Sequence, residues 1–366
     1  MAVAATACFS VKLQKQVLMM EGVMTRTGKL TGVFAALMIC AAMLCSVSPV
    51  SAADVIKLSY ANFPPAKTFP CVQMERWKQE VEKRTNGKVL VQTYPGSTLL
   101  GAKTTLRGVM QGQASIGCIS LAYHPGVFPL SSVFELPLGF TTATSASLAL
   151  WDLYEKYQPK EFKRFKVLTM FTSAPSNLMT KAPVRKLEDL KGLELRASGI
   201  LSKILESLGA TPVSMPMSAT PEALQKGVVK GLFSSFDVLK DLNFAEICRY
   251  ETVTNTAVYP FAIIMNMKAW NDLPDDVKKV MNDLGREQAQ WTGEYMDQHV
   301  KDSLAWAEEK YSIEMIKMSD ADMQAIREKT VPLIEDWKKK ATGAGIAASA
   351  VLSDVEASRL KYEAAK

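Results

Sequence analysis

Leu190-Lys-Gly-Leu-Glu-Leu-Arg196-Ala-Ser-Gly199, Leu208-Gly-Ala-Thr-Pro-Val-Ser-Met-Pro-Met-Ser218 and Ala223-Leu-Gln-Lys-Gly-Val-Val-Lys-Gly-Leu-Phe-Ser-Ser235 follow one another along the chain. Together they read as strand, helix, strand, helix, strand, the alternation that builds an α/β sheet covered by helices. The first strand, Leu193 to Arg196, stops at an arginine followed by small residues. In open α/β sheets ligands gather beyond the carboxyl ends of strands, so Arg196 is expected to face a cleft. Its guanidinium is permanently charged and offers a flat fork of donors suited to a carboxylate. Taken alone, the residue could equally serve a surface or interdomain salt bridge.

Outward from this stretch the alternation continues. Val55 to Tyr60 alternates like a strand and ends in Ala61-Asn62-Phe63-Pro64-Pro65, which continues neither regular structure. A helix from about Pro70 to Arg84 follows, with Val72, Trp77 and Val81 as buried candidates. After the Asn86-Gly87 turn come a strand from Lys88 to Tyr94, a helix from Thr104 to Gln111 stopped by Gly112, and a strand from Ser115 to Leu121. That strand aims the loop Ala122-Tyr123-His124-Pro125-Gly126 at its carboxyl end. Leu106 to Gly117 and Leu224 to Gly231 share one pattern of helix, glycine stop and strand, a hint of two lobes built alike.

From Pro274 to Tyr311 a strong helical pattern places Val277, Met281, Leu284, Gln288, Trp291 and Tyr295 on one face. Asn271 or Asp272 is expected to cap it, with Pro274 in its first turn. A continuous helix would be about 55 Å long, longer than one lobe. Two helices broken near Gly293 are the alternative. Residues 319 to 340 form a further amphipathic helix, and the chain ends in a charged helix from about Ser353.

Arg26 and Lys29 precede an apolar run from Leu30 to Val47, then Val50-Ser51-Ala52, the outline of a cleaved secretory signal over residues 1 to 53. The run nears the length of a membrane span, so an uncleaved anchor is the alternative. Residues 1 to 23 fit a signal poorly, which points to a true start at Met24. Leu44-Cys45 is a weak lipoprotein signal. The net charge of +6 falls to +3 without this leader, because four positive and one negative side chains leave with it. The remaining charge is scattered, with no basic run dense enough for nucleic acid. A mature chain of this length calls for two lobes. Cys8, Cys40 and Cys45 go with the leader. Cys71, Cys118 and Cys248 have neither disulfide-framework nor metal-ligand spacing, and burial as small apolar side chains is expected, one bridge being the alternative. His124 and His299 have no partner spaced for a metal site. No nucleophile elbow, phosphate loop or dinucleotide fingerprint occurs, so neither cofactor nor catalysis is expected.

The same stretches resemble the solute-binding proteins of TRAP transporters, the extracytoplasmic DctP-type receptors for organic acids. The matching runs are Lys191-Gly-Leu-Glu-Leu-Arg196, Leu208-Gly-Ala-Thr-Pro-Val213, Leu224-Gln-Lys-Gly-Val-Val-Lys-Gly231, Gly87-Lys-Val-Leu-Val91, Leu100-Gly101 and Glu135-Leu-Pro-Leu-Gly-Phe140. The resemblance covers nearly all of the chain after residue 54. It implies a two-lobed periplasmic-binding-protein-like α/β fold, a long helix spanning both lobes, and Arg196 as the clamp on the ligand carboxylate. Lobe I is expected to hold residues 54 to 173 and about 262 to 300, and lobe II residues 174 to 261 and about 301 to 366. Membrane subunits are the implied partners, with hinge closure and periplasmic localisation.

The expected ligand-binding set is Arg196, Ser198, Ser176, Phe171, Ser173, Met217, Ser234, Ser235, Phe236, Asp237, Tyr123, Phe63, Asn62, Asn255 and Tyr259. Helix N-termini after Ser198-Gly199 and at Ser218 to Pro221 would add partial positive charge. Where many relatives carry a second arginine or polar partner, this chain has Ser176. Where many carry Asn it has Ser234 and Ser235, and Asn255 is followed by Thr256, not His. One strong cation with hydroxyls around it argues for a single carboxylate. Rings at Phe63, Tyr123, Phe171, Phe236 and Tyr259 argue for a planar or cyclic body. Two rival readings remain: a receptor of an ABC or chemosensory system, or an exported organic-acid lyase using His124, Asp237 or Tyr259.

Overall fold

The computed structural model describes residues 55–364. The signal segment, the Met24 start and Cys8, Cys40 and Cys45 lie outside the described residues. The chain runs β1 (Ile56–Ala61), α1 (Phe69–Arg84), β2 (Val89–Tyr94), α2 (Thr105–Met110), β3 (Ile116–Ser120), α3 (Ala143–Tyr157) and β4 (Phe165–Thr172). It continues through β5 (Asn177–Thr180), β6 (Glu194–Ala197), α4 (Ile200–Ser207), β7 (Thr211–Ser214), α5 (Thr220–Gln225), β8 (Gly231–Ser234), α6 (Val238–Asp241) and β9 (Tyr250–Val253). Last come β10 (Pro260–Asn266), α7 (Met267–Asn271), α8 (Asp275–Tyr311), β11 (Glu314–Lys317), α9 (Asp320–Gly343) and α10 (Ala348–Glu363).

The strands form two sheets, in the orders β2-β1-β3-β10-β4 and β11-β9-β5-β8-β6-β7. In the first, β1 is parallel to β2 and β3, while β10 runs antiparallel to β3 and β4. In the second, β6 is parallel to β7 and β8, while β5 runs antiparallel to β8 and β9. The lobes therefore share one topology, and β1, β2, β3, β10 and β4 correspond to β6, β7, β8, β5 and β9. In each sheet the antiparallel strand is the one arriving from the other lobe. The two crossings are bonded to each other: Ser173 N donates to Tyr259 O at 2.9 Å, Ser176 N to Ala257 O at 2.7 Å, and Thr256 N to Ser176 O at 3.1 Å.

The repeated helix–glycine–strand pattern is real structure. Both α2 and α5 end at a left-handed glycine, Gly112 (φ 76°) and Gly227 (φ 71°). The next residue bonds back over the turn in both cases, Gln113 N to Gly108 O at 2.8 Å and Val228 N to Ala223 O at 2.9 Å. These turns launch β3 and β8, whose last residues, Ser120 and Ser234, point their chain ends at the same gap.

α8 is one continuous helix of 37 residues. Its glycines are contacts, not breaks. A Cβ on Gly285 would lie 2.6 Å from the Trp151 ring, and one on Gly293 2.5 Å from Thr144 Cα. Glycine lets α8 lie directly on α3 of the first lobe. Asp297 then accepts from Ala143 N at 2.7 Å, Thr144 N at 3.1 Å and Thr144 Oγ1 at 2.6 Å, holding the start of α3. Farther along, His299 Nε2 lies 2.7 Å from Asp241 Oδ1 on α6 of the second lobe. The expected cap is wrong: Asn271 ends α7, and α8 starts after Pro274 with Asp275 and Asp276 in its first turn, where negative charge suits the helix N-terminus.

The chain end also departs from expectation. Of residues 301 to 366, β11 stays in the second sheet beside β9, but α10 leaves lobe II. Ala348, Val351 and Val355 of α10 share a core with Ala146, Ala149 and Leu150 of α3, and Lys156 Nζ meets Asp354 Oδ2 at 2.6 Å. The small-residue face of α3 is the surface flat enough for this helix. Cys71, Cys118 and Cys248 are free and buried, and burial pushes the Cys71 and Cys248 thiols up to about 12. No helix among the described residues is long and apolar enough to cross a membrane.

Candidate functional site

Arg196 is carried by β6, between β7 and β8, one residue before the strand's carboxyl end. It is only 1% exposed. Nε and Nη2 donate to the Met215 carbonyl at 3.1 and 2.9 Å, and Nη2 also reaches Tyr123 Oη at 3.3 Å. The guanidinium carbon sits 5.8 Å from the centre of the Tyr259 ring. Among the described residues no carboxylate pairs with it, and both N–H groups of Nη1 are unspent. A buried cation left without an anion costs several kcal/mol. The arrangement is therefore complete only with an anion from outside.

A second donor waits beside it. Tyr123 Oη accepts from Arg196 Nη2 and from Met217 N at 3.0 Å, which uses both lone pairs. Its own proton has no acceptor among the described residues. Ser120 and Ser234, at the ends of the equivalent strands β3 and β8, are buried and likewise make no side-chain hydrogen bond among the described residues. Arg196, Tyr123, Ser120 and Ser234 all border one cavity, with Phe63, Pro64, Phe69, Tyr259 and Phe261 forming its walls. Its free volume is about 60 Å³, several times the roughly 10–15 Å³ that one water needs. The lining is chiefly carbon, so an occupant is gripped at one end and packed along its body.

Asp237 borders the same space and is 2% exposed. Burial, and then the charge of Asp241, raise its carboxyl to about 7, although Ser235 Oγ donates to it at 2.5 Å. Tyr259 is also raised, chiefly by burial, and its hydroxyl donates to Phe233 O at 3.2 Å.

Residues 60–340 match the profile of DctP, the bacterial extracellular solute-binding proteins of family 7. The chain belongs to that family. It is 86% identical to a TRAP periplasmic solute-binding protein from Desulfovibrio salexigens, covering 84% of this chain and 97% of that one, with a TM-score of 0.78. That structure is described as an open complex with the C-terminus of a symmetry mate in its ligand site. A TRAP solute-binding protein from Bordetella bronchiseptica with bound (R)- and (S)-mandelate is 27% identical over 84% of this chain and 99% of its own, TM-score 0.79. A marine-metagenome relative, from an unidentified microbe and described as specific for aromatic acid ligands, holds metahydroxyphenylacetate and is 27% identical over the same shares, TM-score 0.80. The protein is thus a periplasmic TRAP solute receptor, a binding protein and not an enzyme.

In this TRAP receptor the fifteen expected site residues divide. Arg196, Tyr123, Phe63, Ser173, Met217, Ser234, Ser235, Asp237 and Tyr259 border the cavity. Ser173 is already engaged, donating to Ala174 O at 2.8 Å and accepting from Tyr259 N at 3.0 Å. The other six do not border it. Phe171 lies behind the wall, stacked on Phe261 at 5.5 Å. Phe236 packs in the second lobe's core with Leu232 and Val238. Asn62 ties the loop after β1, donating to Pro70 O at 2.7 Å. Ser176 and Asn255 belong to the crossings, and Asn255 is exposed. Ser198 borders a neighbouring cavity.

The expected helix N-termini are corrected too. Ile200 N, in the first turn of α4, is taken by Glu135 Oε2 at 2.7 Å. A 3₁₀ turn from Met217 to Ala219 precedes α5, which is only six residues long. The reading from sequence missed Ser120, Phe69 and Phe261. Ser120 was reachable, because the repeat that nominates Ser234 has it at the corresponding strand end. Phe69 and Phe261 carry no local signal.

Proposed function

We propose that this receptor takes a planar or cyclic monocarboxylate, its carboxylate on Arg196 Nη1 and the Tyr123 hydroxyl and its flat body between Phe63, Phe69, Tyr259 and Phe261. The unspent Nη1 of a buried arginine, opening on a carbon-lined cavity, is the observation that carries this reading. Arg196 is the one cation bordering the cavity among the described residues, and Asp237 is its one acid. A second carboxylate would meet an acid, not a base. The mandelate and metahydroxyphenylacetate bound by two relatives support an aromatic acid, and the chain terminus held by the Desulfovibrio protein supports a carboxylate. Ligand closes the lobes about their crossings, and the closed form delivers it to TRAP-type membrane subunits.

A thermal-shift panel tests the ligand class, with benzoate, mandelate and 3-hydroxyphenylacetate against succinate. A ligand at a hundredfold excess over its Kd adds roughly 2.7 kcal/mol of stability. The aromatic acids should raise the midpoint and succinate should not. Stabilisation by succinate alone would overturn the monocarboxylate reading.

A further inference from the structure

Glu135 ends the 3₁₀ segment Ser131–Glu135, which packs on α3 and β10 in the first lobe. It is 3% exposed. Its Oε2 accepts from Ile200 N, 2.7 Å away in the second lobe. Ile200 opens α4, four residues after Arg196 on the same turn. Two local features make room for this carboxyl group. Gly199 holds φ 60° and ψ −141°, a region that side chains other than hydrogen all but forbid. A Cβ on Gly199 would stand 2.0 Å from Glu135 Oε2. α4 has no side-chain cap of its own, so the first lobe supplies it.

We propose that Glu135 is the closing latch of the receptor, a positioning residue whose carboxyl group crosses from one lobe to cap the helix behind Arg196, so that gripping the ligand and locking the lobes happen at one turn. The inference rests on the receptor reading but not on the identity of the ligand. With the lobes apart, Glu135 stands in water and α4 loses its cap. With them together, the cap fixes the turn and hence the direction of the Arg196 side chain.

A pH dependence follows. Burial raises the Glu135 carboxyl from 4.5 to about 7 in this shut form, with the Ile200 N–H and Lys203 pulling the other way. In water it titrates in the ordinary carboxylate range. The shut form therefore holds the proton more tightly, and closing takes one up. Closure is favoured at low pH and weakens as pH rises through about 7. The other titratable groups around the adjoining cavity are Lys103, Tyr123, His124, Lys203, Asp336 and Lys340; none from α3 or β10 borders it. Burial lowers His124 from its ordinary value.

The test measures lobe separation without relying on any ligand. Leu90→Cys and Val228→Cys, both exposed and one in each lobe, carry spin labels on the full receptor, and distances are read at pH 6 and pH 8, alone and with benzoate. The ratio of closed to open molecules in the unliganded protein should rise about tenfold from pH 8 to pH 6, the shift for one proton near pH 7. Glu135→Gln, a neutral isostere of the protonated form, should be shut to the same extent at both values. Glu135→Ala should stay open at both. Unchanged distances and unchanged pH response in Glu135→Gln overturn the latch, as does a Glu135→Ala protein that closes like the parent. Benzoate failing to bind would count against the ligand class alone, because the unliganded pH response still reads Glu135.

Discussion

Tyr123 Oη and Arg196 Nη2 meet at 3.3 Å across the gap between the lobes, and the same oxygen accepts from Met217 N at 3.0 Å. One hydroxyl thus joins the first lobe to the ligand-gripping arm of the second. Tyr123→Phe keeps the ring that stands 5.5 Å from Phe63 but strands two donors, the buried Arg196 Nη2 and the half-buried Met217 N–H. The expected loss is about 1–3 kcal/mol of ligand affinity, the usual cost of unsatisfied buried donors. Calorimetric titration with benzoate checks it, and an unchanged Kd would remove Tyr123 from the site.

Arg196 makes its internal bonds only to a carbonyl and a phenol. Arg196→Ala should weaken carboxylate binding by about 2–5 kcal/mol, because the ligand's charge is then buried without a partner. Arg196→Lys should recover only part of this, since an ammonium cannot bond Met215 O twice and still present two parallel donors. Less than a tenfold change in Kd for the alanine variant would defeat the clamp.

The alternation of strands and helices from Leu190 to Ser235 was legible because each element there is short, bounded by glycine or proline, and local in its hydrogen bonding. Arg196 was legible for the same reason: its position at a strand end decides where it points. The observed strand, Glu194–Ala197, is shifted one residue from the expected one. The ring wall was not legible, because Phe69 and Phe261 become neighbours, 5.4 Å apart, only when β10 returns from the second lobe. Glu135 stood in a recognised run without a role, since its partner is a backbone N–H that no residue letter reports. The long helix was readable as a helix, but Gly293 looked like a break until α3 filled its side.

That contact makes a stability prediction. Alanine favours a helix interior over glycine by about 1 kcal/mol. Gly293→Ala should nevertheless destabilise, because its Cβ would press on Thr144 Cα at 2.5 Å, a backbone atom that cannot rotate away. Overpacking of this kind costs about 1–3 kcal/mol. Urea unfolding measures the balance. A rise in the midpoint would mean that α8 can move off α3 freely, and the Asp297 bonds would then not brace it.

Asp237 makes the last prediction. Its carboxyl is raised from 3.8 to about 7, first by burial and then by Asp241. The folded protein therefore binds this proton more tightly than the unfolded chain, and stability falls as pH climbs from the ordinary carboxylate range through 7. His299, raised by its bond to Asp241, adds a loss of the same sign. Asp237→Asn should remove only its own share, about 1 kcal/mol between pH 6 and pH 8. The amide can still accept from Ser235, so the fold should persist. Thermal midpoints across that range separate the two curves. An Asp237→Asn midpoint that falls as steeply as the parent's would show that Asp237 is already ionised in the folded receptor, and a ligand carboxylate would then face a fixed negative charge across the cavity.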